Sequence, residues 1–156
     1  MVEVDLTVNG QTQRLTVEPG ENLLRTLRER LGNLGVKESC DYGGCGACTV
    51  IVNGRTIYSC MALSAKMNGA QITTVEGLES PDGLHPLQRL FMEKWALQCG
   101  FCTPGILLSA KCLLDTKNDP TEAEIREALA GHVCRCTGYV RIIEAVKQAA
   151  TLRAPP

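Results

Sequence analysis

Eight of the nine cysteines in this 156-residue chain fall into two sets of four. Cys40, Cys45, Cys48 and Cys60 are separated by four, two and eleven residues, and Gly43, Gly44 and Gly46 lie inside the tight part of the run. Three thiols at C-x4-C-x2-C with a fourth later in the chain is the plant-type spacing for a [2Fe-2S] cluster. Four thiolates must converge on two irons, and the backbone must wrap closely enough for N–H groups to point at sulfur. Glycines permit that approach and the unusual φ values it needs, and the resulting hydrogen bonds tune the potential. Cys99, Cys102, Cys134 and Cys136 form the second set, with two, thirty-one and one residues between them. Both short pairs stand just before helix starts, where the dipole and free N–H groups favour the ionised thiol. C-x-x-C plus C-x-C is only moderately specific alone; beside the first set it reads as a second cluster site.

A pair of structural zinc sites is the competing chemistry, because four thiolates suit zinc equally well. Zinc sites usually use two C-x-x-C-like knuckles, however, whereas the first set crowds three ligands into one glycine-rich loop. A Rieske centre needs two histidines on one iron. The chain has only His85 and His132, and eight thiolates already complete two clusters. Disulfides are disfavoured by compartment: the amino terminus Met1-Val2-Glu3-Val4-Asp5 carries acids where a secretory signal would put basic residues and then an apolar block. A cytoplasmic protein with reduced thiols is the expectation.

The elements that must position these thiols change character along the chain. Val2, Val4, Leu6 and Val8 alternate with polar residues, and Asn9-Gly10 joins them to a second run holding Leu15 and Val17. Asn-Gly supplies the positive φ values of a type I′ hairpin turn. Leu23, Leu24, Leu27 and Leu31 predict one helix ended by Gly32, and 49–52 with 55–58 predict a second hairpin about Asn53-Gly54. A short strand over 72–75 completes a small mixed sheet packed on one helix, over residues 1–76. Residues 77–86, rich in Gly, Ser, Pro and Asp, read as a linker. From 87 to 156 the period is helical. One helix carries Leu87, Leu90 and Phe91 and extends toward Trp95; a second opens on Thr103 as N-cap with Pro104 behind it; a third opens on the Thr121/Glu124 capping box; a fourth carries Ile142, Ile143, Val146, Ala149 and Ala150.

Composition excludes several functions. Net charge is −1, from 16 Lys+Arg against 17 Asp+Glu, which offers no footprint for nucleic acid or anionic lipid. No apolar run approaches the roughly eighteen residues a membrane-spanning helix requires. No Ser-His-Asp constellation or phosphate loop is present, so substrate chemistry is expected elsewhere.

Three motifs in register carry a resemblance. The runs Cys40-Asp41-Tyr42-Gly43-Gly44-Cys45-Gly46-Ala47-Cys48-Thr49-Val50, Gln98-Cys99-Gly100-Phe101-Cys102-Thr103-Pro104-Gly105 and Cys134-Arg135-Cys136-Thr137-Gly138-Tyr139 closely resemble the small iron–sulfur subunit of the xanthine oxidase family of molybdenum hydroxylases. The resemblance covers about residues 2–150. It implies an α+β chain in which an N-terminal β-grasp, ferredoxin-like [2Fe-2S] domain is followed by an all-α four-helix [2Fe-2S]-binding domain with pseudo-twofold symmetry. It implies a large partner subunit holding molybdopterin and a medium subunit holding FAD, in a hetero-oligomer up to a dimer of heterotrimers. Electrons would pass from molybdenum through the cluster on Cys99, Cys102, Cys134 and Cys136, then through that on Cys40, Cys45, Cys48 and Cys60, to FAD or another acceptor. By family position Gln98 would hydrogen-bond the pterin and Cys136 would lie at the pterin's edge. A free-standing two-cluster ferredoxin and a zinc-stabilised interaction module are the rival readings.

Two residues depart from the family's pattern: Ser39 where Gly is frequent, and His132 where Asn is usual. Ser39 reads as a solvated loop serine. His132 reads as a helix-end histidine capping a carbonyl, with a pH-dependent cluster potential as the sharper alternative. Cys112 reads as a buried inert thiol on a helix's apolar stripe, and Trp95 as core or interface packing. Arg135, between two ligands, is equally placed to offset cluster charge or to cap a helix or bind a partner.

Overall fold

The structure is a computed structural model that describes residues 1–81 and 83–152. Strand β1 (Val2–Val8) turns back into β2 (Gln11–Val17) in antiparallel register, Val2 opposite Val17 and Val8 opposite Gln11. The turn is left-handed at both central residues, Asn9 at φ 50° and Gly10 at φ 82°, as a type I′ hairpin requires. Val4, Leu6 and Val8 bury on one face. A second hairpin repeats the device: β3 (Thr49–Val52) and β4 (Arg55–Tyr58) flank Asn53 at φ 49° and Gly54 at φ 79°. Strand β5 (Gln71–Thr73) pairs parallel with β1 and antiparallel with β3, giving the order β2-β1-β5-β3-β4.

All four residues of β3 are buried, and the reason is that the strand is covered on both faces. Val50 and Val52 join the core of the sheet with Leu6, Leu23, Leu27 and Ile72, while Ile51 points the other way into the helices, among Ile106 and Leu107. One strand therefore belongs to both halves of the chain.

The predicted helix over 23–31 is shorter and wider than expected. Asn22 caps α1 (Leu23–Arg25) through a bond from the Arg25 N–H to its Oδ1 (2.9 Å), and the chain continues as a π-turn over Thr26–Arg30. The buried carboxylate of Glu21 accepts from the Thr26 hydroxyl (2.6 Å) and pairs with Arg30 (2.6 Å) across that turn.

In the second half, α2 (Pro86–Glu93), α3 (Thr103–Thr116), α4 (Glu122–Leu129) and α5 (Val140–Thr151) pack on a common core of Leu87, Leu90, Phe91, Ile106, Ile125, Ile142 and Val146. The Thr121/Glu124 capping box forms as its sequence predicts. A one-turn 3-10 helix over Val75–Leu78 runs into the first two residues of the expected 77–86 linker, and α2 begins with a reciprocal cap between His85 and Gln88. Two expectations need correction. Thr103 is the first residue of α3 rather than its cap: Cys102 holds the cap position, without a side-chain hydrogen bond. Trp95 lies beyond α2 in a left-handed turn (φ 55°) with its side chain 82% exposed, so it is no part of the core. Among the described residues, the architecture is a five-stranded mixed sheet with five α-helices, and no helix is long and apolar enough to cross a membrane.

Candidate iron–sulfur sites

The fold brings each cysteine set together, and within each set the thiols associate two by two. Cys40 neighbours Cys45, and Cys60 neighbours Cys48. In the second set Cys136 Sγ lies 3.6 Å from Cys99 Sγ, and Cys102 neighbours Cys134. Paired thiols, two for each of two irons, are the arrangement a [2Fe-2S] rhomb uses, so the donor sets fit that group.

The loop of the first set aims its N–H groups at sulfur. N–H groups of Tyr42, Gly44 and Cys45, with the Cys45 thiol, hold the Cys40 thiol down at about 7, and Gly44 N stands 3.3 Å from its Sγ. Cys60 lies at the other extreme, pushed up to about 12 by burial and by the neighbouring Cys48 thiol. The second set is divided in the same way. Burial, reinforced by Cys134, pushes Cys102 up to about 12, so for this thiol desolvation overrides the helix-terminus effect expected from the sequence. For Cys134, burial works upward but hydrogen bonds from Thr137, Cys102 and the Cys136 N–H prevail, and the thiol is lowered. Cys136 is raised, first through its contact with Cys99. Each set therefore joins a lowered thiol to a raised one, Cys40 with Cys60 and Cys134 with Cys102.

The segment carrying Cys134 is stitched in place from several directions. Tyr139, itself left-handed at φ 67°, accepts the Cys134 N–H on its hydroxyl (2.7 Å) and donates that hydroxyl to the His132 carbonyl (3.0 Å). Thr137 Oγ1 lies 3.0 Å from Cys134 Sγ. Tyr58 donates to the Gly131 carbonyl (3.0 Å), and Val133 N–H donates to the Cys45 carbonyl (2.9 Å). That last bond joins a residue of the first set to the neighbour of Cys134 in the second. Tyr58 and Val133 carried no sequence signal for this role, since their partners lie 73 and 88 residues away.

The remaining candidates separate clearly. Gln98 is exposed and donates Nε2 to the Cys136 carbonyl (3.0 Å), which brings its amide beside the exposed Cys99 and Cys136. Ser39 and Arg135 are exposed. Cys112 is half-buried rather than buried, and its thiol donates to the Gly54 carbonyl (3.3 Å), tying α3 to the β3–β4 turn. His132 is not a helix-end cap: its ring is buried, with Nε2 2.7 Å from Ser109 Oγ and the other ring nitrogen toward the Gly46 backbone of the first site. Burial holds its imidazole down at about 4, so it is neutral at physiological pH.

Comparison with known proteins places this geometry. Two family models match in series, a 2Fe-2S iron-sulfur cluster binding domain over residues 6–74 and a [2Fe-2S] binding domain over residues 74–147. The chain is 45% identical to the nicotinate dehydrogenase small FeS subunit of Eubacterium barkeri, over 95% of this chain and 94% of that one. It is 42% identical to the xanthine dehydrogenase iron-sulfur-binding subunit of Escherichia coli O157:H7, over 93% and 92%. The solved aldehyde oxidoreductase of Desulfovibrio gigas superposes with a TM-score of 0.93 at 43% identity, covering 97% of this chain and 17% of that longer polypeptide.

Proposed function

This chain belongs to the small [2Fe-2S] subunits of the xanthine oxidase family, electron-transfer components of heteromeric molybdenum-dependent hydroxylases and dehydrogenases, and from that premise we propose how its residues divide the work. Residues 1–76 form the ferredoxin-like domain, in which Cys40, Cys45, Cys48 and Cys60 hold one [2Fe-2S] cluster. Residues 77–86 connect it to a four-helix domain over 87–156, in which Cys99, Cys102, Cys134 and Cys136 hold the other. When bound, each cluster supplies a one-electron couple. The observation that carries the assignment is the two-by-two pairing of all eight thiols inside the two matched domains.

The protein's own part is to hold, tune and connect. N–H groups of the Cys40 loop stabilise charge on sulfur, the buried Cys60 and Cys102 keep water from one side of each site, and the Val133–Cys45 hydrogen bond gives a short bonded path between the sites. Gln98 and Cys136 face the molybdopterin of a large partner subunit. The exposed Phe101, Val133 and Val140 beside the second set, together with Trp95, supply apolar surface for that docking. FAD on a medium subunit, or another acceptor, takes the electrons, and the assembly works in the reducing cytoplasm as a hetero-oligomer.

The test is to express the chain with and without a large molybdopterin-binding subunit of the same organism. About four irons and four sulfides per chain, with two EPR signals on reduction, are expected, together with co-purification of the large subunit. A colourless zinc protein would overturn the cluster assignment. A loaded chain that stays monomeric beside that subunit would point to a free-standing two-cluster ferredoxin.

A further inference from the structure

His132 sits in a closely packed joint between the two cysteine sets. It is 5% exposed, and its ring lies between Ser109 of α3 and the loop that runs from Cys45 to Cys48. Gly46, at φ 74°, leaves the space for it: a methyl group there would stand 2.5 Å from His132 Nδ1 and 2.5 Å from the Gly131 carbonyl. A methyl on Gly105, at the start of α3, would collide with the Gly46 carbonyl and come within 3.3 Å of the same nitrogen. Backbone from the first site, backbone from the second and the imidazole thus meet with no room for another side chain.

The hydrogen bonding at this point is unbalanced in an informative way. Nε2 is satisfied by Ser109, whereas Nδ1, fully buried, has no well-formed hydrogen bond, the Gly46 backbone being the group within its reach. It faces Gly46, whose carbonyl already accepts from the Thr49 N–H (3.1 Å) and the Thr49 hydroxyl (2.7 Å), so both lone pairs are in use. A bare Nδ1 would set its lone pair against that oxygen. The alternative tautomer sets an N–H there, as a weak third donor, with the Ser109 hydroxyl donating to Nε2. The neutral imidazole is then polarised across the joint.

We propose that His132 is a positioning residue for electron transfer, its Nδ1–H tautomer fixing the separation of the two cluster sites by bracing the Gly46 backbone against Ser109 of α3. The proposal rests on the assignment of the two cysteine sets as [2Fe-2S] sites. It goes further in giving the joint, rather than the ligands, control of their spacing. Tunnelling between redox centres falls exponentially with distance, so a residue that holds the gap also holds the rate.

Two reduced [2Fe-2S] clusters are both paramagnetic, and their dipolar interaction falls with the cube of their separation. The experiment is EPR on the dithionite-reduced full chain, loaded with iron and sulfide, for wild type and three variants, with iron and sulfide content measured on each sample. His132→Asn keeps an N–H at the Nδ1 position facing Gly46. His132→Gln keeps a group for Ser109 and loses the one toward Gly46, and His132→Ala leaves a void. The expected result is wild-type interaction splitting in the Asn variant and a shifted, broadened splitting in the Gln and Ala variants, at equal iron content. Wild-type splitting in His132→Ala overturns the proposal, as does a fully loaded wild type without any interaction between its clusters. Should the Ala variant fail to retain clusters, identical splitting in the Asn and Gln variants overturns it instead. A wild-type chain without iron would sink the cluster assignment itself, which the metal analysis reads independently.

Discussion

Replacing Tyr139 by Phe isolates one oxygen atom that serves the second site. The ring, packed at the edge of the helical core, is retained; the hydroxyl that accepts the Cys134 N–H at 2.7 Å and donates to the His132 carbonyl at 3.0 Å is lost. An N–H left unpaired in a buried setting costs about 1–3 kcal/mol, and because Tyr139 and Cys134 are half-buried the lower part of that range, ~1–2 kcal/mol, is expected. For a chain of this size that lowers the melting temperature by roughly 2–8 °C. The redox consequence is more specific. The freed Cys134 N–H can turn toward sulfur and favour the more negative, reduced state, and a change of ~1 kcal/mol corresponds to roughly 40 mV for a one-electron couple. Potentiometric titration followed by EPR should show one potential moving upward by about that amount while the other stays put. Equal movement of both potentials, or a drop in stability with neither moving, would refute the idea that Tyr139 acts on one site through the Cys134 N–H.

Two further outcomes follow from the geometry. Glu21 has an ordinary carboxyl value of 4.5 that the hydrogen bond with Arg30, helped by Thr26, lowers to about 2 in the fold. Its contribution is therefore complete above pH 4.5 and is lost as pH falls through about 2; discounted for the partly exposed Arg30 it amounts to ~1–2 kcal/mol. Glu21→Gln should lower stability to urea by that amount at pH 7 and by progressively less in acid, and a pH-independent difference would contradict the linkage. Gly46→Ala forces a methyl into the Gly131 carbonyl and the His132 ring at a left-handed φ, and a loss of ~2–5 kcal/mol is expected in urea unfolding of the loaded chain.

What the sequence makes legible here is local. The Asn-Gly turns and the Thr121/Glu124 cap each depend on residues close together in the chain, and each is found where its pattern indicates. The departures arise where distant partners decide. The π-turn over 26–30 accompanies the Glu21–Arg30 pair, a contact that apolar periodicity does not encode. Trp95 turns outward because the chain leaves α2 at Lys94 through a left-handed residue. His132 looked like a cap because its neighbours in sequence end a helix. Its actual neighbours, Ser109 and Gly46, are 23 and 86 residues away.

The close packing of Gly46, Gly105 and Gly131 also bears on how such chains can be recombined. The two matched domains meet at residue 74, which invites treating each half as an exchangeable cassette. Yet Ile51 of β3 is buried among the helices, and three glycines admit no side chain where the halves touch. A chimera that joins the first half of one relative to the second half of another inherits only one face of that contact. Successful grafts will carry Gly46, Ile51 and Tyr58 together with Gly105, Ser109 and the 131–134 segment, so that the unit of inheritance is the seam and not the domain.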